Sequence, residues 1–568
     1  MKAKKSIYLV LPACLLLALA LLIVTISSKA TAPMRAQVTI LATTDLHGNI
    51  FPLDYYTNKP DSRGLAKAAT IIKAARKENP NLLLLDSGDV IQGTPLIYYH
   101  NKKNNAPPDP MMLVMSALKY DAMAVGNHEY NFGLKVLEKA RGEAQFPWLS
   151  ANTYKKGTDE TAYPPYIVKE TGGVRIGVLG LTTPGVPNWD NPENYAGLEF
   201  RETVSEAKKW VAALRNAERV DLVVIIMHMG LEEDLRTGEV NPGQVQNENA
   251  AIAIAEQVAG VDLILMGHTH REVSSLYING VLLSQADKWA RRVVRADIYL
   301  EKESEGGRWK VAAKSARTIP VDDAVKPDEE ILKLAAPYDR ETQAWLGHVI
   351  GQSTAELTAQ DARFRDTAIL DLIQRVQLEA GQADVSMAAS FNPQARIPKG
   401  AVTVRDIAGL YEYENTLVVL EVTGQQLKDA LEHSALYFGA YVPNKPVQDL
   451  VDEKIPGYNF DIAAGVAYDL DISKPVGSRV QNLRFRGQPL GPDQKLKLVT
   501  NNYRVNGGGG YNMYKGAPVL HRSSEEIREL IIDWVERNKR VPAEPDNNWR
   551  LLVDGRPASV PQPTARSR

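Results

Sequence analysis

The chain has 568 residues, of which 44% are hydrophobic and 24% are charged, so it is long enough to form more than one domain with a core of its own. Its 66 basic and 68 acidic residues leave a net charge of −2, which argues against a nucleic-acid polymer as the partner. The single cysteine, Cys14, lies in an N-terminal apolar run, so disulfides and thiolate metal sites are excluded from the rest of the chain.

The N-terminal segment has the pattern of an export signal. Three lysines among the first five residues precede an uncharged run at 6–28, and the small residues Ala30-Thr31-Ala32 follow. The run is also long enough to span a bilayer, so an uncleaved anchor with the lysines inside is the alternative. Residues 1–36 are therefore predicted to be a signal peptide or a membrane anchor of an extracytoplasmic protein, whether secreted, periplasmic or at the cell surface.

Residues from about 37 to 299 alternate short apolar runs with helical stretches. Fully apolar strands separated by helices are typical of an α/β layered fold. The predicted strands are Val38–Ala42, Leu82–Leu85, Ala122–Val125, Ile176–Leu179, Leu222–Met227 and Leu263–Met266. The predicted helices include Leu65–Lys77 and Ala250–Val258.

A Pro-containing, acid-rich stretch at 319–345 indicates a linker with a connecting helix. It separates a first domain, 37–318, from a second domain, 346–545, and a partly disordered tail follows at 546–568. The second domain has a mixed pattern, and no internal repeat is present. Its predicted helices are Thr367–Leu378, Gly424–Ala435 and Ser524–Asn538, and its predicted strands are Thr416–Val422, Ala464–Leu470 and Lys495–Thr500.

Five polar motifs follow the predicted strands of the first domain. They are Thr44–Asn49, Gly88-Asp89, Gly126–Glu129, His228 and Gly267–His270. In open α/β sheets the carboxyl ends of the strands form the ligand crevice, so these side chains are expected to converge. Five of the nine histidines of the chain fall at these positions, which argues against scattered surface histidines.

The residue types suit a pair of divalent metal ions. Imidazole and carboxylate ligands fit Mn²⁺, Zn²⁺, Fe or a mixed pair, and two close metal ions need a shared ligand, which a carboxylate provides. Asp89 is the natural bridge, because Asp45 and His47 form an Asp-x-His pair of their own. The first metal ion is assigned to Asp45, His47, Asp89 and His270, and the second to Asp89, Asn127, His228 and His268. His128 adjoins a ligand and is predicted to face the leaving oxygen as proton donor or charge stabiliser.

Together these motifs resemble those of the calcineurin-like metallophosphoesterase superfamily, and residues 38–540 resemble its two-domain 5′-nucleotidase branch. Within that branch the chain is most similar to the bacterial 2′,3′-cyclic-nucleotide 2′-phosphodiesterase/3′-nucleotidases. The resemblance implies an N-terminal four-layer α/β/β/α domain, joined by a linker helix to a C-terminal α+β substrate domain. The matching stretches are Ala42–His47, Gly88–Gly93, Gly126–Asn131, Asn247–Asn249, Tyr413–Leu417, Tyr458–Asp461 and Thr500–Arg504.

One position departs from the 5′-nucleotidase pattern. That pattern has an Asp three residues after the catalytic His, where it orients the imidazole, and this chain has Asn131. The cyclic-phosphodiesterase branch resembles the chain at this position, because it also has Asn there. An Asn holds the imidazole but stabilises its cation less well than an Asp does. Asn131 is therefore counted with His128 as a catalytic residue, and Asn131→Asp is expected to be tolerated and to shift preference toward 5′-nucleotides.

The second domain is predicted to hold the base. By resemblance, Tyr413 and Tyr503 sandwich it, and Phe460 and Tyr511 are second choices at aromatic positions of the 5′-nucleotidase pattern. Stacking of this kind is worth about 1–3 kcal/mol per base. Two further candidates are polar: Asn502, in the polar surroundings of Tyr503, and Arg396, for phosphate or ribose.

The resemblance implies a metal-dependent phosphoric ester hydrolase for extracellular nucleotide and phosphate scavenging. It would open 2′,3′-cyclic nucleotides to 3′-nucleotides and then dephosphorylate those. The alternatives are a 5′-nucleotidase or nucleotide-sugar hydrolase, and a non-catalytic nucleotide-binding protein, against which the intact ligand set counts. The expected partners are nucleotides and two divalent metal ions, with no nucleic-acid polymer, membrane attachment only through the N-terminal segment, and a monomeric state.

Overall fold

The computed structural model describes residues 33–240, 246–411, 413, 415–443 and 445–559. Within them no helix has both the length and the apolar character that crossing a bilayer requires. Positions 1–32 of the predicted signal or anchor segment lie outside the described residues, and so does the end of the predicted tail from position 560.

The first domain contains two six-stranded sheets. The strand order of the first is Lys310–Pro320, Arg292–Lys302, Met34–Thr43, Leu83–Asp86, Ala122–Ala124 and Trp148–Leu149. The order of the second is Glu272–Ile278, Val281–Ala286, Leu263–Met266, Leu222–His228, Val174–Thr182 and Tyr166–Thr171. A block of parallel strands carries antiparallel strands at one edge in the first sheet and at both edges in the second.

The two sheets face one another across an apolar layer, and helices cover their outer faces. Along Met34–Thr43, Ile40 and Ala42 point into that layer, whereas Leu41 lies under the outer helices, as the two-residue period of a strand requires. The helices on the first sheet are Leu65–Glu78, Pro110–Ala117 and Leu134–Glu143, and those on the second are Thr203–Asn216 and Ala251–Gln257. The four-layer α/β/β/α prediction is confirmed.

Shorter elements complete the first domain. The short helices are Pro95–Tyr98, Tyr99–Lys103, His128–Tyr130, Val186–Trp189 and Pro192–Tyr195. The short strands are Leu53–Asp54, Lys59–Pro60, Thr153–Lys155, Leu198–Phe200, Glu233–Asp234 and Glu239–Val240.

The second domain has the mixed α+β character that was predicted. Its main sheet has the order Asp461–Ala464, Val385–Ala389, Lys495–Asn501, Thr416–Thr423 and Val519–Glu526. A second sheet has the order Gln488–Pro489, Val480–Phe485, Val466–Asp471, Trp549–Val553 and Arg556–Pro557, and a third has the order Gly400–Thr403, Val349–Ser353 and Arg540–Val541. The α-helices are Ala368–Gly381, Val404–Ala408, Gly424–Ser434, Asn502–Val505 and Ile527–Asn538.

The helix Glu329–Leu346 connects the two domains and contacts both. From the first domain, the Tyr55 hydroxyl donates to Asp339 Oδ1 at 2.7 Å. From the second, Arg405 Nη2 donates to Gln343 Oε1 at 2.6 Å. This helix lies largely within the stretch at 319–345, where a linker with a connecting helix was predicted, and it packs against both domains.

The second domain extends further than the sequence predicted. Trp549–Val553 pairs in parallel with Val466–Asp471, and Trp549 is only 2% exposed. The tail therefore begins later than position 546. Turn-forming residues at 545–548 precede this strand and obscured it, because Pro, Asp and Asn are typical of loops.

Candidate active site

The predicted metal ligands lie together where the parallel strands of the two sheets end. Several of them follow their strands directly in positive-φ conformations, which side chains rarely adopt. The φ angles are 50° at Asp45, 46° at His47, 61° at Asp89, 70° at His268 and 53° at His270. Strained backbone of this kind concentrates at functional sites, where the surrounding structure enforces it.

Two glycines let the loops of the first sheet approach one another. A Cβ on Gly88 would lie 2.8 Å from the Gly126 nitrogen, and a Cβ on Gly126 would lie 2.2 Å from Asp89 Oδ1. Gly88 also has φ of 95°, which only glycine adopts readily. The two loops therefore touch backbone to backbone, and this contact brings Asp89 beside the loop that carries Asn127.

Asp45, His47 and His270 form the first group of potential ligands, with one ligand atom from each within 4.8 Å of the others. His270 Nε2 lies 3.4 Å from Asp45 Oδ1 and 3.0 Å from His47 Nε2. The Nδ1 atom of His47 lies 3.1 Å from both Gln92 O and Gln92 Oε1, so the ring proton belongs on that side. The Nε2 lone pair of His47 consequently points into the group, as a metal ligand requires.

Asp89, His228 and His268 form the second group within the same distance limit. The Nδ1–H of His228 donates to Ser87 O at 2.8 Å, which leaves Nε2 to face the group. In the described part of the chain, the buried Asn127 Oδ1 has no hydrogen-bond partner, and the buried His228 Nε2 faces the carboxylate of Asp89 at 2.9 Å. Buried polar atoms without partners are costly, and a bound cation satisfies an imidazole nitrogen and an amide oxygen together. The residues present therefore fit a metal ion.

Asp89 lies between the two groups. Its Oδ2 is 2.9 Å from His228 Nε2, 3.8 Å from His47 Nε2 and 4.0 Å from His128 Nε2. Its Oδ1 accepts the backbone N–H of His128 at 2.9 Å, which fixes the carboxylate plane. One carboxylate thus reaches a ligand of each group, as a bridge between two metal ions must.

The electrostatics of the two groups are complementary to positive charge. Burial lowers the pKa of His47 to about 3, so this ring is neutral. Burial also favours the neutral form of His228, but the carboxylates of Asp89 and Asp45 outweigh it and raise the pKa of His228 to about 10. The carboxylates therefore favour a positive charge at His228. A divalent cation supplies that charge when it binds, and the ring then loses its proton, because imidazole ligates a metal ion only in its neutral form.

Glu129 organises the loops beneath the ligands, a role that the sequence did not reveal. Its buried carboxylate accepts the backbone N–H groups of Asp89 at 3.0 Å, Val90 at 2.6 Å and Gly126 at 2.7 Å. Three donors from two separate loops converge on one side chain. The only signal in the sequence was its position at the end of the motif Gly126–Glu129, two residues after Asn127.

His128 and Asn131 are hydrogen-bonded to one another beside the ligands. His128 Nδ1 lies 2.6 Å from Asn131 Oδ1, and Asn131 Nδ2 donates to Asp190 Oδ2 at 3.0 Å. The His128 side chain is 35% exposed, so a bound molecule can reach the ring. Asp190 was not among the predicted site residues.

Glu248 and Trp189 also border the site without having been predicted. Glu248 Oε1 lies 3.0 Å from His268 Nε2, and the Trp189 ring centroid lies 5.2 Å from that of His268. Burial raises the pKa of Tyr503 to about 12, and the negative charge of Glu248 contributes to the rise. The Trp189 backbone oxygen accepts a hydrogen bond from the side chain of Asn502, which precedes Tyr503, so this border of the site contacts the second domain.

An aromatic cluster of the second domain is open to solvent. Tyr413 and Tyr458 are 42% and 38% exposed, and their ring centroids are 6.5 Å apart. Phe391 supports Tyr413 edge-on at 5.2 Å. Tyr503 is half-buried, and its ring packs so closely on Gly508 that a Cβ there would lie 2.6 Å from it. Tyr413 and Tyr503 therefore keep the accessibility that base stacking needs, and Tyr458 joins them.

Phe460 and Tyr511 do not have that accessibility. They are 2% and 0% exposed. Phe460 stacks on Tyr437 at 5.2 Å, and the Tyr511 hydroxyl donates to Asn459 O at 2.9 Å. Both rings belong to the core of the second domain, so their predicted role in stacking on a base is not supported. An aromatic residue gives the same sequence signal in a core as at a surface.

The two polar candidates of the second domain have different surroundings. Asn502 is buried and donates from Nδ2 to Trp189 O at 2.7 Å, so it holds the domains together beside the site. Arg396 is exposed and pairs with Glu356 at 3.3 Å. No contact in the described residues places Arg396 with the metal-ligand groups.

Comparison with known proteins agrees with this geometry. The family description "Calcineurin-like phosphoesterase" matches residues 38–272, and "5′-nucleotidase, C-terminal domain" matches residues 349–516. The chain is 30% identical to the 2′,3′-cyclic-nucleotide 2′-phosphodiesterase/3′-nucleotidase of Haemophilus influenzae, over 90% of this chain and 87% of that protein. It is also 30% identical to the trifunctional nucleotide phosphoesterase protein YfkN of Bacillus subtilis, but it spans only 41% of that longer protein.

A solved structure shows the same two-domain fold. The putative 5′-nucleotidase from Staphylococcus aureus superposes with a TM-score of 0.79 at 28% identity, covering 91% of this chain and 100% of that one. Both family matches and this structure agree on the same domain pair, and a relative of 30% identity matches over 90% of the chain. The chain therefore belongs to the calcineurin-like phosphoesterases that carry a C-terminal 5′-nucleotidase domain, and it is a phosphoric ester hydrolase.

Proposed function

We propose that the chain hydrolyses nucleotide phosphate esters with two divalent metal ions, acting as a 2′,3′-cyclic-nucleotide 2′-phosphodiesterase and 3′-nucleotidase. The observation that carries the proposal is the position of Asp89, whose Oδ2 is 2.9 Å from His228 Nε2 in one group and 3.8 Å from His47 Nε2 in the other. Together with the buried, partnerless oxygen of Asn127, this arrangement favours the ligand assignment made from the sequence.

The site residues have two kinds of role, binding of the metal ions and transfer of a proton. When bound, a metal pair supplies an activated water and neutralises the phosphoryl oxygens. Asp45, His47, Asp89 and His270 would hold one ion, and Asp89, Asn127, His228 and His268 the other. His128 presents Nε2 toward the same space and delivers a proton to the departing ribose oxygen. Its Nδ1 side is held by Asn131, so the ring cannot turn away.

The substrate class follows from the pairing of the two domains. The metal ions that the two groups would hold bind the phosphate, while Tyr413 and Tyr503, aided by Tyr458, bind the base. Asn502 joins the two regions through its contact with Trp189, whose ring lies against His268. Similarity to cyclic-nucleotide phosphodiesterase/3′-nucleotidases over almost the whole chain supports a cyclic or 3′-phosphate rather than a polymer. The N-terminal sequence supports action outside the cytoplasm.

We expect chelation to abolish phosphate release and metal to restore it. The purified full-length protein is treated with EDTA, then assayed with Mn²⁺, Zn²⁺ or Fe²⁺ on 2′,3′-cyclic AMP, 3′-AMP and 5′-AMP. The proposal predicts turnover of the first two substrates that depends on metal and is restored by at least one of these ions. The metal content of active protein, measured by mass spectrometry, should approach two ions per chain.

Two other outcomes would replace the proposal. Faster hydrolysis of 5′-AMP than of the cyclic and 3′ substrates would identify a 5′-nucleotidase, which relatives such as the 5′-nucleotidase of Vibrio vulnificus, 28% identical over 92% of this chain, keep in view. Nucleotide binding without hydrolysis of any of the three substrates would identify a binding protein. The first result is read from the same assay, and the second from that assay together with a measurement of nucleotide binding.

A further inference from the structure

We propose that Asp190 is a positioning residue of the reaction, which orients the Asn131 amide so that its oxygen faces the catalytic His128. This inference rests on the proposed function of His128 as proton donor. The three side chains form a continuous chain, with 2.6 Å between His128 Nδ1 and Asn131 Oδ1 and 3.0 Å between Asn131 Nδ2 and Asp190 Oδ2. Asp190 lies 59 positions from Asn131 in sequence, so no local motif reveals it.

An amide alone does not determine which way it faces a histidine. Asn presents an acceptor oxygen and a donor nitrogen of nearly equal size, and a half-turn about its side chain exchanges them. With the oxygen toward His128, Nδ1 carries a proton and Nε2 is free to hold the proton that departs with the product. With the nitrogen toward His128, Nδ1 must be an acceptor, and the doubly protonated ring is excluded. The orientation of Asn131 therefore decides whether His128 can act as an acid.

Asp190 makes that choice because its surroundings supply only donors. Its Oδ1 accepts from Asn194 Nδ2 and from the backbone N–H of Asn191, each at 2.7 Å, and its Oδ2 accepts from Asn131. The side chain is 5% exposed, and burial raises its pKa, while the three donors favour the charged form. A carboxylate offers no donor, so Asn131 must point its nitrogen toward Asp190 and its oxygen toward His128.

Asn194 reinforces this arrangement from a second side. Its Nδ2 also donates to the Asn131 backbone carbonyl at 3.1 Å, so the same amide fixes both the carboxylate and the backbone of the residue that the carboxylate orients. In 5′-nucleotidases, by the resemblance described above, a carboxylate touches the histidine directly. Here the negative charge stands one hydrogen bond further away.

The arrangement revises the expectation for Asn131→Asp. That substitution places a second carboxylate oxygen at the 3.0 Å contact with Asp190, where like charges repel. The single variant is therefore expected to be impaired instead of tolerated. Asp190→Asn is also expected to be impaired, because either orientation of the new amide sets a nitrogen against Asn131 Nδ2 or against the donors on the other side.

The double variant, Asn131→Asp with Asp190→Asn, restores every hydrogen bond with one direction reversed. The new Asp accepts from His128 and from the new Asn, whose oxygen still accepts from Asn194 and the Asn191 N–H. We expect each single variant to lose about 10–100-fold in kcat on 3′-AMP with little change in KM, which is at or below the lower end of the roughly 10²–10⁴-fold that a proton donor contributes, because His128 itself remains. The double variant should recover to within about threefold of the parent, a coupling that independent sites do not show.

A leaving-group comparison separates positioning from general damage to the fold. Nitrophenolate departs without a proton, whereas a ribose alkoxide needs one, so both single variants should retain most of their activity on nitrophenyl phosphate. Metal content should stay at the parent level. The inference is overturned if the double variant is as impaired as the product of the two singles, or if Asp190→Asn keeps the parent kcat on 3′-AMP. A parent protein that hydrolyses neither ester would instead contradict the proposed function.

Discussion

Asp89→Ala should abolish hydrolysis of cyclic and 3′-nucleotides, with a loss of more than about 10³-fold in kcat/KM, or roughly 4 kcal/mol of barrier. The carboxylate reaches ligands of both groups, so its removal weakens the binding of both metal ions instead of one. It also leaves His228 without the partner that draws positive charge to it. Metal analysis should show fewer than two ions per chain, and nitrophenyl phosphate should be lost together with the nucleotides.

The second domain offers a matched control for this substitution. Asp366 belongs to another trio of carboxylates, with Asp371 and Asp546, whose oxygens lie within 4.8 Å of one another. Burial, with the neighbouring carboxylate charges, raises the pKa of Asp366 to about 6 and that of Asp371 to about 7. Asp366→Ala removes one carboxylate from this trio and should leave metal content and kcat close to the parent values. Full activity of Asp89→Ala with two ions bound would contradict the bridging assignment.

The metal-ligand set could be predicted because several independent signals coincide at each position. Asp45 and Asp89 each follow a strand that ends in buried, mostly apolar residues, and parallel strands deliver their carboxyl ends to one edge of a sheet. Histidines lie at the same strand ends, and this combination with carboxylates leaves few interpretations other than a metal site. The fold followed for the same reason, since unbroken apolar runs separated by helices fit few architectures other than a layered α/β domain.

The supporting residues could not be predicted, because their roles arise from long-range contacts. Asp190 reaches Asn131 across 59 positions, and Glu248 reaches His268 only through the fold, although it lies in the matching stretch Asn247–Asn249. Burial caused the opposite error at Tyr511. Its ring was a second choice for the base because it matches an aromatic position of the 5′-nucleotidase pattern, but it stacks on Tyr514 at 5.9 Å inside the domain. Sequence shows what a side chain can do, whereas packing decides whether a ligand reaches it.

Removing the aromatic faces of the second domain should weaken nucleotide binding while sparing the chemistry. Tyr413→Ala and Tyr503→Leu each delete a ring expected to stack on the base, at about 1–3 kcal/mol, or roughly 5–150-fold in the KM for 3′-AMP. Leu is chosen at position 503 because the ring packs on Gly508, and a smaller residue would leave a cavity. Nitrophenyl phosphate has no nucleobase, so its hydrolysis should change by no more than about twofold, which is below 1 kcal/mol.

Tyr277→Ala is the control, since this tyrosine is 51% exposed on an edge strand of the first domain. It should leave both substrates unaffected. Thermal unfolding of all three variants shows whether the second domain remains intact. Binding the phosphate in one domain and the base in the other also requires the two domains to stay in contact. Asn502 provides such a contact through its 2.7 Å hydrogen bond to Trp189 O. The contrary result would be that Tyr413→Ala reduces hydrolysis of nitrophenyl phosphate as severely as that of 3′-AMP, with thermal unfolding unchanged. Tyr413 would then act on the metal-ligand region and not on the base, and the assignment of base binding and phosphate hydrolysis to separate domains would fail.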